Sequence, residues 1–179
     1  MSKAVMISIR PKWCEKIARG EKTIEVRKTR PKLETPFKCY IYRTKGTVPH
    51  IINDKWMQMK VGGTVIGEFT CDCIYELETK APGGSYYVKG ESQPTTNDVA
   101  RQSCLTLRDM HEYLKAAKGY GWHISDLVIY DELKDLGEFK GPCKVESDCC
   151  ACPHYNYIKM DCDGRTIKRP FQSWGYVEE

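Results

Sequence analysis

Apolar and polar residues alternate in short, readable runs over the first third of the chain. Ala4-Val5-Met6-Ile7-Ser8-Ile9-Arg10 is almost wholly apolar and reads as a strand, with Ser8 and Arg10 sharing one face at its end. Pro11 opens a short helix, at the position where a missing N–H costs nothing. Trp13, Cys14, Ile17 and Ala18 mark the inner stripe of that helix, and Gly20 is a left-handed stop. From Gly20 to Lys28 the period becomes two. Ile24 and Val26 point one way, Thr23, Glu25 and Arg27 the other, and Lys22 sits at the mouth. This predicts a half-buried strand with an apolar back and a row of polar groups on its front. Strand, tight helix and strand would bring Arg10, Lys12, Lys22, Glu25 and Arg27 towards one mouth. A charged front also keeps an edge strand soluble, and the pattern alone leaves both readings open.

Further along, Arg30-Pro31 ends the second strand, and residues 37–43 alternate as a third. Residues 44–60 mix Gly46, Pro49 and Asn53 with irregular apolar positions around Trp56 and read as a loop with a helical turn. After Gly62-Gly63, residues 64–75 read as one long strand, and 79–99 as a long polar loop. Thr106 and Asp109 form a capping-box start for a helix with Leu107, Met110, Leu114 and Ala117 on one face, stopping at Gly119. Trp122 to Tyr130 is a strand with His123, Ser125, Leu127 and Ile129 on one face. There Trp122 could stack on a base and His123 could move a proton, or both could simply pack in the core. Gln172 and Trp174 alternate with Ser173, a pair suited either to holding a nucleobase or to closing a sheet.

A chain of 179 residues is expected to be a single domain, 1–179, of α+β class. No apolar run is long enough to span a bilayer, and the N-terminus lacks the apolar core and cleavage site of a signal peptide. The expectation is a soluble, cytoplasmic protein with no membrane partner, whose ten cysteines are reduced or metal-bound. Charge changes the picture more. Residues 1–38 carry eleven Lys or Arg against four Glu, a local excess of +7 in a chain whose net charge is +4. A basic patch on the same elements as the polar front favours a polyanionic partner. A second concentration of chemistry is the Cys-rich stretch 141–164, read as an insertion. Cys149-x2-Cys152 has the spacing of a metal knuckle, and Cys143 and Cys162 would complete a structural zinc site, with Cys150 or His154 as substitutes. Reduced, unliganded cysteines are the rival reading.

The order strand, Pro-started helix, then Gly20-x-Lys22-x-x-Glu25-x-Arg27 resembles the signature of the ASCH domain, a member of the PUA-like superfamily. Gly121-Trp122-His123-Ile124-Ser125-Asp126-Leu127 and Arg169-Pro170-Phe171-Gln172-Ser173-Trp174 resemble stretches of ASCH-containing proteins of Firmicutes and their phages. The resemblance implies a small mixed or antiparallel β-barrel with flanking short helices. It also implies binding of RNA or a modified nucleoside in a basic cleft around the signature. The expected contacts are Arg10, Lys12, Thr23, Arg27, Trp122, His123, Ser125, Gln172 and Trp174, with Lys22 and Glu25 as candidate catalytic groups. Some ASCH relatives are amidohydrolases acting on N4-acetylcytidine, and one is described as a ribonuclease, so a hydrolase is the alternative. The amidohydrolase type pairs the signature Lys with a Thr three residues later. Here Glu25 stands at that position, and Thr23 is displaced in register.

Overall fold

The first strand, β1 (Lys3–Ile9), reads as continuously apolar because both of its faces are covered. Val5, Ile7 and Ile9 face one apolar cluster, and Ala4 and Met6 face another. The structure is a computed structural model and describes residues 3–52, 55–79, 84–90, 93–115, 118–143, 154–158 and 160–179.

Helix α1 (Pro11–Ala18) follows, starting on Pro11 and burying Cys14 and Ile17. Gly20, at φ +72°, turns the chain in the left-handed region where a side chain would be strained. β2 (Ile24–Arg27) leads to β3 (Phe37–Arg43), β4 (Gly46–Ile52), β5 (Lys55–Val61), β6 (Thr64–Cys71), β7 (Ile74–Thr79) and β8 (Tyr86–Val88). After α2 (Thr96–Gln102) and α3 (Leu107–Leu114) come β9 (Gly119–His123) and β10 (Ser125–Asp135). Two short strands, β11 (Tyr155–Asn156) and β12 (Asp161–Cys162), make a hairpin before the last strand, β13 (Trp174–Glu178).

The larger sheet has the order β10-β6-β3-β1-β13, with β1 and β3 parallel and the other pairs antiparallel. The smaller one is antiparallel, in the order β2-β9-β7-β8. The main core lies against Val5, Ile7 and Ile9 and takes in Cys14 and Ile17 of α1, Phe69 of β6 and Trp122 of β9. The back of the smaller sheet, Ile24, Val26 and Leu77, packs on Val99, Met110 and Leu114 of α2 and α3. Among the described residues no helix is long and apolar enough to cross a membrane.

The expected alternation of β2 is present: Ile24 and Val26 join the apolar cluster behind, while Glu25 and Arg27 face forward. Several expectations need correction. The described strands form four sheets and do not close into a barrel. Residues 44–60 are not a loop but most of the β4–β5 ribbon, a sheet of its own. The strand expected over 64–75 breaks at Asp72–Cys73, where the chain leaves the larger sheet for the smaller. The strand expected over 122–130 breaks at Ile124, where the chain crosses back. No Gly or Pro marks either corner, and apolar and polar positions go on alternating across it, as in Cys71-Asp72-Cys73 and His123-Ile124-Ser125. Part of the 79–99 stretch is ordered as β8 and the start of α2, whose capping box is Thr95 and Asp98. The helix begun by Thr106 and Asp109 ends at Leu114, with Lys115 left-handed at φ 54°.

Candidate functional site

The end of β1, the first turn of α1 and the front of β2 surround a cleft of about 500 Å³. α3 supplies Asp109 and Tyr113 to one wall, and Gln172 and Ser173, leading into β13, supply another. Ser8, Arg10, Lys12, Trp13 and Thr44 complete most of the rest.

At its base Lys22, Glu25 and Arg27 form one ion-paired row, all under a tenth exposed. Glu25 bridges the two cations: Oε2 stands 3.1 Å from Lys22 Nζ and Oε1 stands 3.1 Å from Arg27 Nη2. Lys22 Nζ also donates to the carbonyl oxygens of Ile24 at 2.8 Å and Ser103 at 2.7 Å. Its three protons therefore have three acceptors, and Trp13 lies 5.2 Å away at its ring centroid. Arg27 Nη2 donates to Ser8 O at 2.6 Å and Nη1 to Ser173 Oγ at 3.4 Å, while its buried Nε has no partner among the described residues. Two cations around one carboxylate leave the row with a net positive charge. Arg10 and Lys12, both exposed, add two more cations at the rim, and Asp109 contributes one anion. The Asp109 carboxyl is held below the usual carboxylate range chiefly by the Thr106 hydroxyl and backbone N–H that it caps, and only weakly by Lys12.

Two chemistries are poorly served by this arrangement. For Lys22 to attack a carbonyl it would have to shed a proton that a carbonyl or carboxylate oxygen is accepting. Cys14, buried in α1 beneath the cleft, donates its thiol to Ile9 O at 3.6 Å, and burial pushes its pKa up to about 12, far from a thiolate nucleophile. What the row does well is present fixed positive charge in a half-enclosed space, where electrostatic contacts are stronger than in bulk water.

The cleft thus brings together Arg10, Lys12, Lys22, Glu25, Arg27 and Gln172. The remaining expected contacts lie elsewhere. Thr23 turns to α2, its hydroxyl donating to Gln102 Oε1 at 3.3 Å. Trp122 is fully buried against Phe37 and Trp174. His123 Nδ1 pairs with Asp72 Oδ1 at 2.6 Å, Ser125 donates to Thr70 O, and half-buried Trp174 donates to Thr29 Oγ1 at 3.0 Å. Sequence reasoning missed Trp13, Asp109 and Tyr113 as cleft walls: helix-face residues look the same whether they pack or line a recess. Of the expected zinc ligands, Cys149 and Cys152 lie outside the described residues, as does Cys150. Exposed Cys143 and buried Cys162 line one cavity of about 530 Å³ together with His154. Among the described residues no group of three or more His, Cys, Asp or Glu is placed to hold a metal.

No family model matches the chain, and no curated protein matches it. Among solved structures, the ASCH protein of Zymomonas mobilis is similar in fold, with a TM-score of 0.50 at 17% identity, over 74% of this chain and 73% of that one. Two mutant forms of the same protein align with a TM-score of 0.49 each at 17% identity, over 74% and 75% of this chain and 74% and 77% of theirs. At this identity the likeness is one of fold: the chain has the α+β fold of an ASCH domain protein.

Proposed function

We propose that this chain is an ASCH-type, PUA-like module that binds RNA or a modified nucleotide in the cleft around Gly20, Lys22, Glu25 and Arg27. The observation that carries the reading is the recess itself. Its volume of about 500 Å³ falls within the roughly 300–1,000 Å³ of small-ligand sites, and its base holds two buried cations against one carboxylate. Arg10 and Lys12 would meet phosphate at the rim, where exposed cations contribute affinity without sequence preference. Trp13 and Tyr113 offer aromatic surface to a base, and Glu25 could accept from an exocyclic amine.

Hydrolysis, amidohydrolase-like or ribonuclease-like, is the second reading and rests on Glu25 as general base. Binding ranks first for two reasons: Lys22 has all three protons engaged, and Thr23 turns away from the cleft.

Titrating the protein with cytidine monophosphate, N4-acetylcytidine and a short single-stranded RNA, while assaying for product, separates the two. The expected result is RNA binding that weakens with salt, and no turnover. Because Arg10 and Lys12 are exposed, an Arg10→Glu, Lys12→Glu variant should keep its melting temperature and lose about tenfold or more in RNA affinity. Its salt slope should fall by about 0.7 for each phosphate that is no longer neutralised. Product formed by the wild type, and lost in a Glu25→Gln variant that is still folded at the assay temperature, would instead establish the hydrolase. A wild type that neither binds nor turns over any of the three ligands would end both readings.

The zinc reading also stands as a proposal. It is supported by the Cys149-x2-Cys152 spacing. Native mass should exceed denatured mass by one zinc, and chelation should remove the excess and lower the melting temperature. Equal masses for protein purified without chelator would sink the idea.

A further inference from the structure

Among the described residues the β4–β5 ribbon is hydrogen-bonded to no other strand, yet it springs from the wall of the cleft. Thr44 lines the cleft, and two residues later Gly46 lies against Pro11 so closely that an added Cβ would stand 3.1 Å from the proline Cγ. Pro11 is flanked by the rim cations Arg10 and Lys12. Exposed Lys45 immediately precedes the ribbon, and exposed Lys60 sits opposite Thr47 in its register. Arg43, at the end of β3, brings a further half-buried guanidinium to the junction. Cations therefore run from the cleft mouth to the base of an arm of two seven-residue strands: Lys45 precedes its first pair, and Lys60 lies in its second. A cleft of about 500 Å³ is in the size range of small-ligand sites, and a phosphate chain longer than one nucleotide would continue past it towards these cations.

We infer that the ribbon, through Lys45 and Lys60, is a second contact surface for the phosphate backbone, so that the ligand is a single-stranded polynucleotide and not a free nucleoside. This rests on the cleft reading above and specifies its substrate class. The base of the ribbon is a suitable carrier, since Gly46 holds it against Pro11 while Lys45 and Lys60 stay exposed, and exposed cations beside a cleft can track a phosphate backbone.

The test compares two ligands on two proteins: cytidine monophosphate and an RNA of about eight nucleotides, within the roughly 4–16 nucleotide footprint of small single-strand binders. They are titrated against the wild type and a Lys45→Glu, Lys60→Glu variant at two salt concentrations. The wild type should bind the octamer at least tenfold more tightly than the mononucleotide. The variant should lose most of that advantage, with a shallower salt dependence, while its mononucleotide affinity stays within about twofold. A Lys45→Gln, Lys60→Gln variant should fall between the two, which separates loss of attraction from added repulsion. If the octamer binds wild type and Glu variant equally, the ribbon is no contact surface and the cleft reading survives. If the wild type binds neither ligand, the cleft reading falls and takes the ribbon with it.

Discussion

Replacing Glu25 by alanine is expected to destabilise the fold by about 3–5 kcal/mol, the usual cost of removing one partner from a buried ion pair. For a chain of this size that lowers the melting temperature by on the order of 10 °C. Glu25 is 7% exposed and stands between Lys22 at 3% and Arg27 at 8%, so the variant leaves two buried cations without the anion they share. Lys22 would keep two carbonyl acceptors, and Arg27 would keep Ser8 O and Ser173 Oγ, so the loss is of charge compensation more than of hydrogen bonds. Glu25→Gln retains shape and acceptor but not charge and should fall between wild type and alanine. Replacing all three residues with apolar side chains of similar size should cost far less than Glu25→Ala, because no unpaired charge remains. That triple variant should nevertheless lose ligand. Thermal or urea unfolding reads the first effect and titration the second. An alanine variant melting within about 2 °C of wild type would mean that the row is solvated and the buried-pair account is wrong. Lys22→Ala carries the same hazard, so lost activity in that variant alone would say nothing about catalysis.

Trp122→Ala should be equally damaging, by about 3–5 kcal/mol, as for other large aromatic deletions in a packed core. Trp122 is 0% exposed, with Phe37 edge-on at 6.0 Å between ring centroids and Trp174 at 5.8 Å. In the β2–β9 register it lies directly opposite Glu25 and so supports the strand that carries the ion-paired row. Its indole N–H has no acceptor among the described residues, so Trp122→Phe removes an orphaned donor along with some volume. That variant should lose much less stability, of order 1–2 kcal/mol, and should bind ligand as the wild type does. Loss of binding by Trp122→Phe without loss of stability would overturn the assignment of Trp122 to the core and make it a stacking residue after all.

Where one element faces two different environments, the sequence is easy to read. Ile24 and Val26 against Glu25 and Arg27 announce a strand between a core and a recess, and that is how β2 sits. Pro11 and Gly20 bracket α1 through backbone constraints that need no neighbours. The β4–β5 ribbon escaped recognition because, as a sheet of its own, it is under no requirement from a core to alternate. The breaks at Asp72–Cys73 and Ile124 escaped because a strand that leaves one sheet and enters another keeps its alternation through the corner, with no Gly or Pro to mark it.

By itself the chain's order of residues determined which groups bear charge, which strand carries them and which short helix precedes it, all decided within a few residues by sterics and periodicity. Only the folded chain decided what those charges meet. Lys22 finds the carbonyl of Ser103, and Arg27 finds the carbonyl of Ser8 and the hydroxyl of Ser173. Backbone carbonyls are present at every position, so nothing in residue type marks the two that will be used. The same holds for the recess, which exists because β2, α1 and α3 come together in space at a distance that no local pattern encodes.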